Sequence, residues 1–178
     1  MLSTLKNNKG VSLIEMMVVI AIIAVVGGLA VLSFSLVRNA DVAKSAETLK
    51  SSLAAAKSRS MAKGDANGKL SITKDGHNTY YVSVGGGDKM VLAKGGMKVY
   101  WAEVSVPVES LSGFSEVGNV DYAFNTAGML SYINDPSVAA DTSKVYEFAF
   151  RYRSSKRVSA VVLYPATGKT ETRMWYEP

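Results

Sequence analysis

The sequence predicts an α+β protein: a long N-terminal helix, apolar in its first half and amphipathic in its second, packed against an antiparallel β-sheet domain. Three observations carry this. From Met16 to Leu32 every residue is apolar or glycine, and no proline interrupts the run. Beyond it Val42, Ala46, Leu49, Leu53, Ala56 and Ser60 recur at spacings of four and three, the period of one helix face. From Leu70 onward the pattern changes to short β-type runs separated by turn residues.

The apolar half comes first. Between Lys9 and Arg38 there is a single charge, Glu15. A membrane helix needs about 20 mostly apolar residues, which this window supplies. Lys6 and Lys9 precede it and no acid does, so the positive-inside rule puts the start of the chain in the cytoplasm and the rest outside. A carboxylate costs roughly 2.5–3.5 kcal/mol at the centre of such a span and less near an interface, which makes Glu15 a candidate functional residue. Ser12 can cap the helix start. The Gly27-Gly28 pair, at about 1 kcal/mol each relative to alanine, reads as a bending point or as a site of close helix packing.

After Val37 the helix continues without a break. Lys44, Glu47, Lys50 and Lys57 lie off the apolar stripe. Lys57, Arg59 and Lys63 suit the C-terminal end of the helix dipole, and Gly64 can terminate it. From Ser12 to Lys63, at about 1.5 Å per residue, the helix spans on the order of 75–80 Å. Its second half needs a partner for the stripe, and the β-type runs supply one. These are Leu70–Thr73, Thr79–Val84, Lys89–Ala93, Lys98–Val106, Val120–Phe124, Tyr146–Arg153, Val158–Tyr164 and Thr170–Tyr176. Asp75-Gly76-His77-Asn78, Lys94-Gly95-Gly96 and Pro165-Ala166-Thr167-Gly168 read as hairpin turns, and residues 107–119 as a loop. Antiparallel sheet packed on one side by the helix fits this pattern.

A short basic leader ending in Lys9-Gly10, then Val11-Ser12-Leu13-Ile14-Glu15, then the apolar helix, resembles the type IV prepilin signal shared by pilins and pseudopilins. The resemblance implies that residues 1–10 are a leader cleaved after Gly10 by a prepilin peptidase. It implies N-methylation of the new terminus at Val11, where the family usually has Phe. Residues 11–37 then form the transmembrane and filament-core helix, 38–64 its amphipathic continuation, and 65–178 the β-rich domain. Leu49–Gly64, with Lys57 at the usual Arg position, is similar to the L-x-x-A-R-S-x-A helix end of GspH/FimT-type minor pseudopilins. Tyr122–Gly128 looks like their F-[DN]-x-x-G segment, and Thr167-Gly168-Lys169 like their terminal T-G-[RK] turn.

Little else in the chain carries chemistry. There are no cysteines, which excludes thiol catalysis, disulfides and thiolate metal sites. The single histidine, His77, lies in a polar turn and cannot form a multi-histidine site. Gly85-Gly86-Gly87 lacks the Lys-Ser/Thr of a phosphate loop and reads as a linker. Asp135 and Asp141 lack the acidic spacing of a calcium loop. The net charge of +5 falls to +3 without Lys6 and Lys9, a weak pointer toward an acidic partner. Arg151, Arg153, Lys156 and Arg157, with Tyr152 interleaved, could neutralise and stack on nucleic acid, or could simply be charged strand ends that block edge association. Some FimT-type pilins use a basic G-R-x-R run in DNA uptake; here the matching positions are Gly168-Lys169-Thr170-Glu171, with an acid in place of the second arginine.

The expectation is a non-enzymatic filament subunit with no metal and no cofactor. It is held first in the cytoplasmic membrane by a single pass, its C-terminal domain extracytoplasmic, and then built into a pilus or a type II secretion or competence pseudopilus. Its expected partners are the prepilin peptidase, the membrane and other subunits met through the N-terminal helix. Two alternatives stay open: a DNA-binding minor pilin, and a single-pass or Sec-secreted binding module, for which Gly28-Leu29-Ala30 offers small residues for cleavage.

Overall fold

A computed structural model describes residues 12–64 and 68–178, with the side chains of 29–35 outside the described set. Ser12 precedes helix α1, Leu13–Lys63, and its carbonyl accepts the first turn's bond from Met16 N at 3.1 Å. The helix stops where Gly64, at φ 91°, takes a left-handed conformation and its N–H bonds Ser60 O at 2.9 Å. The chain divides into two compact units, Met1–Val37 and Arg38–Pro178.

In the first unit the described side chains, 12–28 and 36–37, are all exposed. Leu13, Ile14, Ile20, Ile23 and Val26 each present more than half of their surface. A helix that is apolar all round and bare belongs inside something other than its own chain.

The second unit has ten strands: β1 Lys69–Lys74, β2 Tyr80–Val84, β3 Met90–Ala93, β4 Met97–Val104, β5 Ser115–Glu116, β6 Val120–Phe124, β7 Leu130–Ile133, β8 Val145–Tyr152, β9 Arg157–Tyr164 and β10 Lys169–Tyr176. They form two five-stranded sheets, ordered β3-β2-β1-β6-β7 and β10-β9-β8-β4-β5. Every pairing is antiparallel. Val42, Ala46, Leu49, Leu53 and Ala56 of the helical stripe are buried in one core with Ile72, Tyr80, Val82 and Phe124 of the first sheet. Phe148, Phe150, Val161 and Leu163 of the second sheet complete that core. Each large side chain buried this way stabilises the unit by about 1.5–3 kcal/mol.

The α+β class and the helix-on-sheet packing agree with the sequence reading, and the antiparallel strands divide into two sheets. The expected hairpin at Lys94-Gly95-Gly96 is a crossover instead: β3 belongs to one sheet and β4 to the other. Gly95 and Gly96, at φ 66° and 83°, let the chain leave the first sheet there. Consecutive burial of Leu92 and Ala93, which breaks the strand alternation, marks the bend. Two short strands were not expected. β5 lies inside the stretch read as a loop, and β7 follows the Asn125–Gly128 turn. The rest of that loop has a purpose in the packing: Leu111 and Phe114 cover the far face of the second sheet over Ala149, Val158, Ala160 and Trp175.

Glu116 on β5 ties the sheets together. Its carboxylate accepts from Lys74 Nζ at 2.7 Å and Tyr80 Oη at 2.9 Å on the first sheet, and from Lys98 Nζ at 2.6 Å on the second. Hydrogen bonds from Lys74 and Lys98 hold its pKa down at about 2. A depressed carboxylate adds stability above its unfolded pKa and loses it as pH falls toward the folded value. With the side chain 31% exposed, the network is worth about 1 kcal/mol. Glu116→Gln should therefore lower stability at neutral pH by about that much, and the difference from wild type should vanish by about pH 2 in denaturant titrations. An unchanged gap between pH 7 and pH 2 would show that the ion pairs contribute nothing.

Candidate functional site

Of the residues that the prepilin resemblance marks, Gly10 and Val11 lie outside the described residues. Glu15 stands in the first turn of α1, exposed, with exposed Ile14 and Met16 beside it. An acid there complements the positive end of the helix dipole. Among the residues with described side chains no helix is long and apolar enough to cross a membrane. That set leaves out residues 29–35, which include the end of the apolar run Met16–Leu32.

In the second unit, three sequence segments read separately meet in one place. Lys57 of the helix end donates from Nζ to the Thr167 carbonyl at 2.7 Å. The Tyr122–Gly128 segment begins with buried Tyr122, edge-on to Phe148 at 5.1 Å between ring centres. The carbonyl of Phe124 accepts from the buried Ser60 hydroxyl. Asn125 Oδ1 accepts the N–H groups of Ala127 and Met129, both at 3.0 Å, which closes the turn that a short polar side chain favours. Gly128, at φ 78°, lies under the helix, where a Cβ would come within 2.7 Å of Lys57 Cε and 3.0 Å of Met61 Sδ. Gly168, at φ 59°, packs on Gly128 so closely that a Cβ would overlap the Gly128 carbonyl oxygen. Leu130 N reaches across to Pro165 O at 2.9 Å. The residue types at these positions follow from this junction. Asn closes the turn, the two glycines permit the close approach, and a long cation at the helix end can reach a carbonyl of the last hairpin.

The five basic residues read as a possible nucleic-acid surface do not share one environment. Arg151 donates from Nε to Ser155 O at 2.9 Å, and Arg157 is half-buried. Arg153 and Lys156 are exposed in the β8–β9 turn. Lys169 lies at the opposite end of β10 from the residue that pairs with Arg157, about 23 Å along the strand at about 3.3 Å per residue. There it is ion-paired to Glu171 at 2.6 Å, which raises the lysine pKa and lowers that of the acid. His77 is a solvated turn residue, and Asp135 and Asp141 each close a turn through Ser137 and Ser143. No cluster of metal-ligating side chains occurs among the described residues.

Sequence reasoning missed two residues of consequence. Glu116 carried no signal beyond its neighbours, because its three partners come from three other strands. Arg38 ranked only as the end of the apolar run. Its guanidinium donates to Ser154 Oγ at 2.8 Å and sits 5.8 Å from the Tyr152 ring centre, a link across more than a hundred residues that no local pattern reveals.

Residues 5–31 match a family model described as a prokaryotic N-terminal methylation motif. No curated protein and no solved structure matches the chain. The chain thus carries a prepilin-type signal, over a stretch that includes Gly10, Val11 and Glu15.

Proposed function

We propose that the chain is a structural subunit, most like a GspH/FimT-type minor pseudopilin, of a type IV pilus or of a type II secretion or competence pseudopilus. The observation that carries this is the methylation motif at 5–31, whose residues 13–28 open helix α1 with every side chain bare. Such a surface needs either lipid or other helices of the same kind around it. A filament subunit uses the two in turn. The single pass Met16–Leu32 holds the chain in the cytoplasmic membrane with residues 38–178 extracytoplasmic. A prepilin peptidase cuts after Gly10, Val11 is methylated, and the helix then exchanges lipid for the helices of neighbouring subunits. The Lys57–Gly128–Gly168 junction supports the minor-subunit reading, because it gives one structural reason for all three sequence segments on which that likeness rests. Among the described residues no cluster of metal-ligating side chains accompanies it, and the five basic residues do not converge as a DNA-binding surface would require.

Processing tests this. Co-production with a prepilin peptidase should shorten the chain by the leader alone. Gly10→Leu should leave it uncut, in membranes, and absent from sheared filament fractions. Filament incorporation of the uncut variant would count against the proposal.

A further inference from the structure

One end of the second unit is cationic, and it is the end from which the chain leads back to the apolar segment. Four exposed cations gather there: Arg38, Lys94, Arg153 and Lys156. Tyr152 and the serines of the β8–β9 turn hold them together. The Tyr152 ring lies under Arg38, and its hydroxyl is 3.4 Å from the Lys94 carbonyl. Ser154 accepts from Arg38, and the Ser155 hydroxyl lies 3.5 Å from Asn39 Oδ1. Two acids lie nearby, each hydrogen-bonded to neutral groups, so four cations against two carboxylates leave this end net positive. Asp41 accepts from the Tyr152 hydroxyl at 3.3 Å, and Glu177 accepts from Leu111 N at 2.7 Å and Trp175 Nε1 at 3.0 Å. None of the four cations makes an ion pair among the described residues. Lys69, Lys74, Lys98, Lys169 and Arg173, elsewhere in the unit, are paired to acids.

We propose that this cationic end binds the anionic phosphates of the lipid bilayer from which the subunit is later withdrawn. The inference rests on the membrane-held stage proposed above. Arg38 directly follows exposed Leu36 and Val37 and is the first charge after Glu15, so the cluster lies at the chain position where a membrane helix meets the headgroups. Exposed, mutually close cations attract an anionic surface over about a Debye length, and the attraction is lost in salt. The contact would hold the domain down before assembly and release it once the helix leaves the lipid. A lipid surface is favoured over nucleic acid because the cluster is compact and terminal, and the strand leading away from it carries Lys169 already neutralised.

The chain has no cysteine, so a single one can be introduced for a fluorophore. Tyr176→Cys places it beside Arg157, next to the cluster, and Ala127→Cys places it at the Gly128–Gly168 junction, toward the other end of β10. The full chain is reconstituted in phosphatidylcholine vesicles, with or without about a third phosphatidylglycerol, and energy transfer to a dilute headgroup acceptor is measured. Transfer from position 176 should rise with the anionic lipid and fall back in about 0.5 M salt. The rise should be lost in Arg153→Ala/Lys156→Ala, and position 127 should show none. Stable flotation without any lipid-dependent rise would overturn this inference alone. Loss of flotation from both vesicle types in high salt would overturn the membrane-held stage and this inference with it. Binding of a labelled DNA duplex to phosphatidylcholine vesicles, abolished by the same double substitution and with no response to phosphatidylglycerol, would reassign the cluster to nucleic acid.

Discussion

Gly168→Ala should destabilise the β-rich unit by about 3 kcal/mol, combining a left-handed residue with overpacking, and lower its Tm by roughly 6–12 °C. Two costs act together at that position. The backbone holds φ at 59°, where a side chain is strained, and the new Cβ would overlap the Gly128 carbonyl oxygen while crowding Lys57 Cδ at 3.1 Å. Neither neighbour can move freely, because Gly128 is fixed by its N–H bond to Asn125 O at 2.9 Å and Lys57 by its bond to Thr167 O. Gly96→Ala separates the terms. Gly96 has φ 83° with nothing within 4 Å of a built Cβ, so it should show only the backbone part, about 1–2 kcal/mol. Equal losses in the two variants would mean that the junction is not tightly packed.

That junction shows what the sequence could and could not reveal. The helical stripe was legible because burial on one helix face repeats in the chain itself: all six residues from Val42 to Ser60 are buried. Eight of the ten strands were legible from β-branched and aromatic runs between turns. The division into two sheets was not, since Lys94-Gly95-Gly96 has the composition of a hairpin and only the distant packing of Tyr152 and the partners of β4 show that it crosses between sheets. β5 is two residues long and has no periodicity to detect. The three junction segments were recognisable one at a time by resemblance, yet their meeting is a long-range fact, as is the contact of Arg38 with Ser154. Glu15 stood out at once, because a lone carboxylate in an apolar run needs no neighbour to be anomalous.

Glu15→Gln should leave membrane insertion and cleavage after Gly10 intact and reduce incorporation into filaments at least about tenfold, the equivalent of about 1.4 kcal/mol. In a core of packed apolar helices an isolated carboxylate is strongly disfavoured. The fitting partner is the α-amino group of Val11, freed by cleavage, on an adjacent subunit. The pair would neutralise two charges that burial brings together, and it would set the axial register, since one stagger alone aligns the first residue of one helix with the fifth of its neighbour. Breaking a buried pair by removing one partner typically costs about 3–5 kcal/mol, so tenfold is a lower bound for a fully buried site. Glu15→Asp, with a shorter reach, should fall between. The amount of subunit in sheared filaments relative to membranes reads the effect, and wild-type incorporation of the Gln variant would remove Glu15 from assembly. Partial retention would point to a position at the filament tip, where one neighbour is missing.

The N-terminal residue of the chain recovered from sheared filaments is the most direct measurement of whether this is a processed filament subunit. A sequence beginning at N-methylated Val11 is the expected result. Recovery only as a secreted product beginning at Val31, as cleavage after Gly28-Leu29-Ala30 would give, would contradict it.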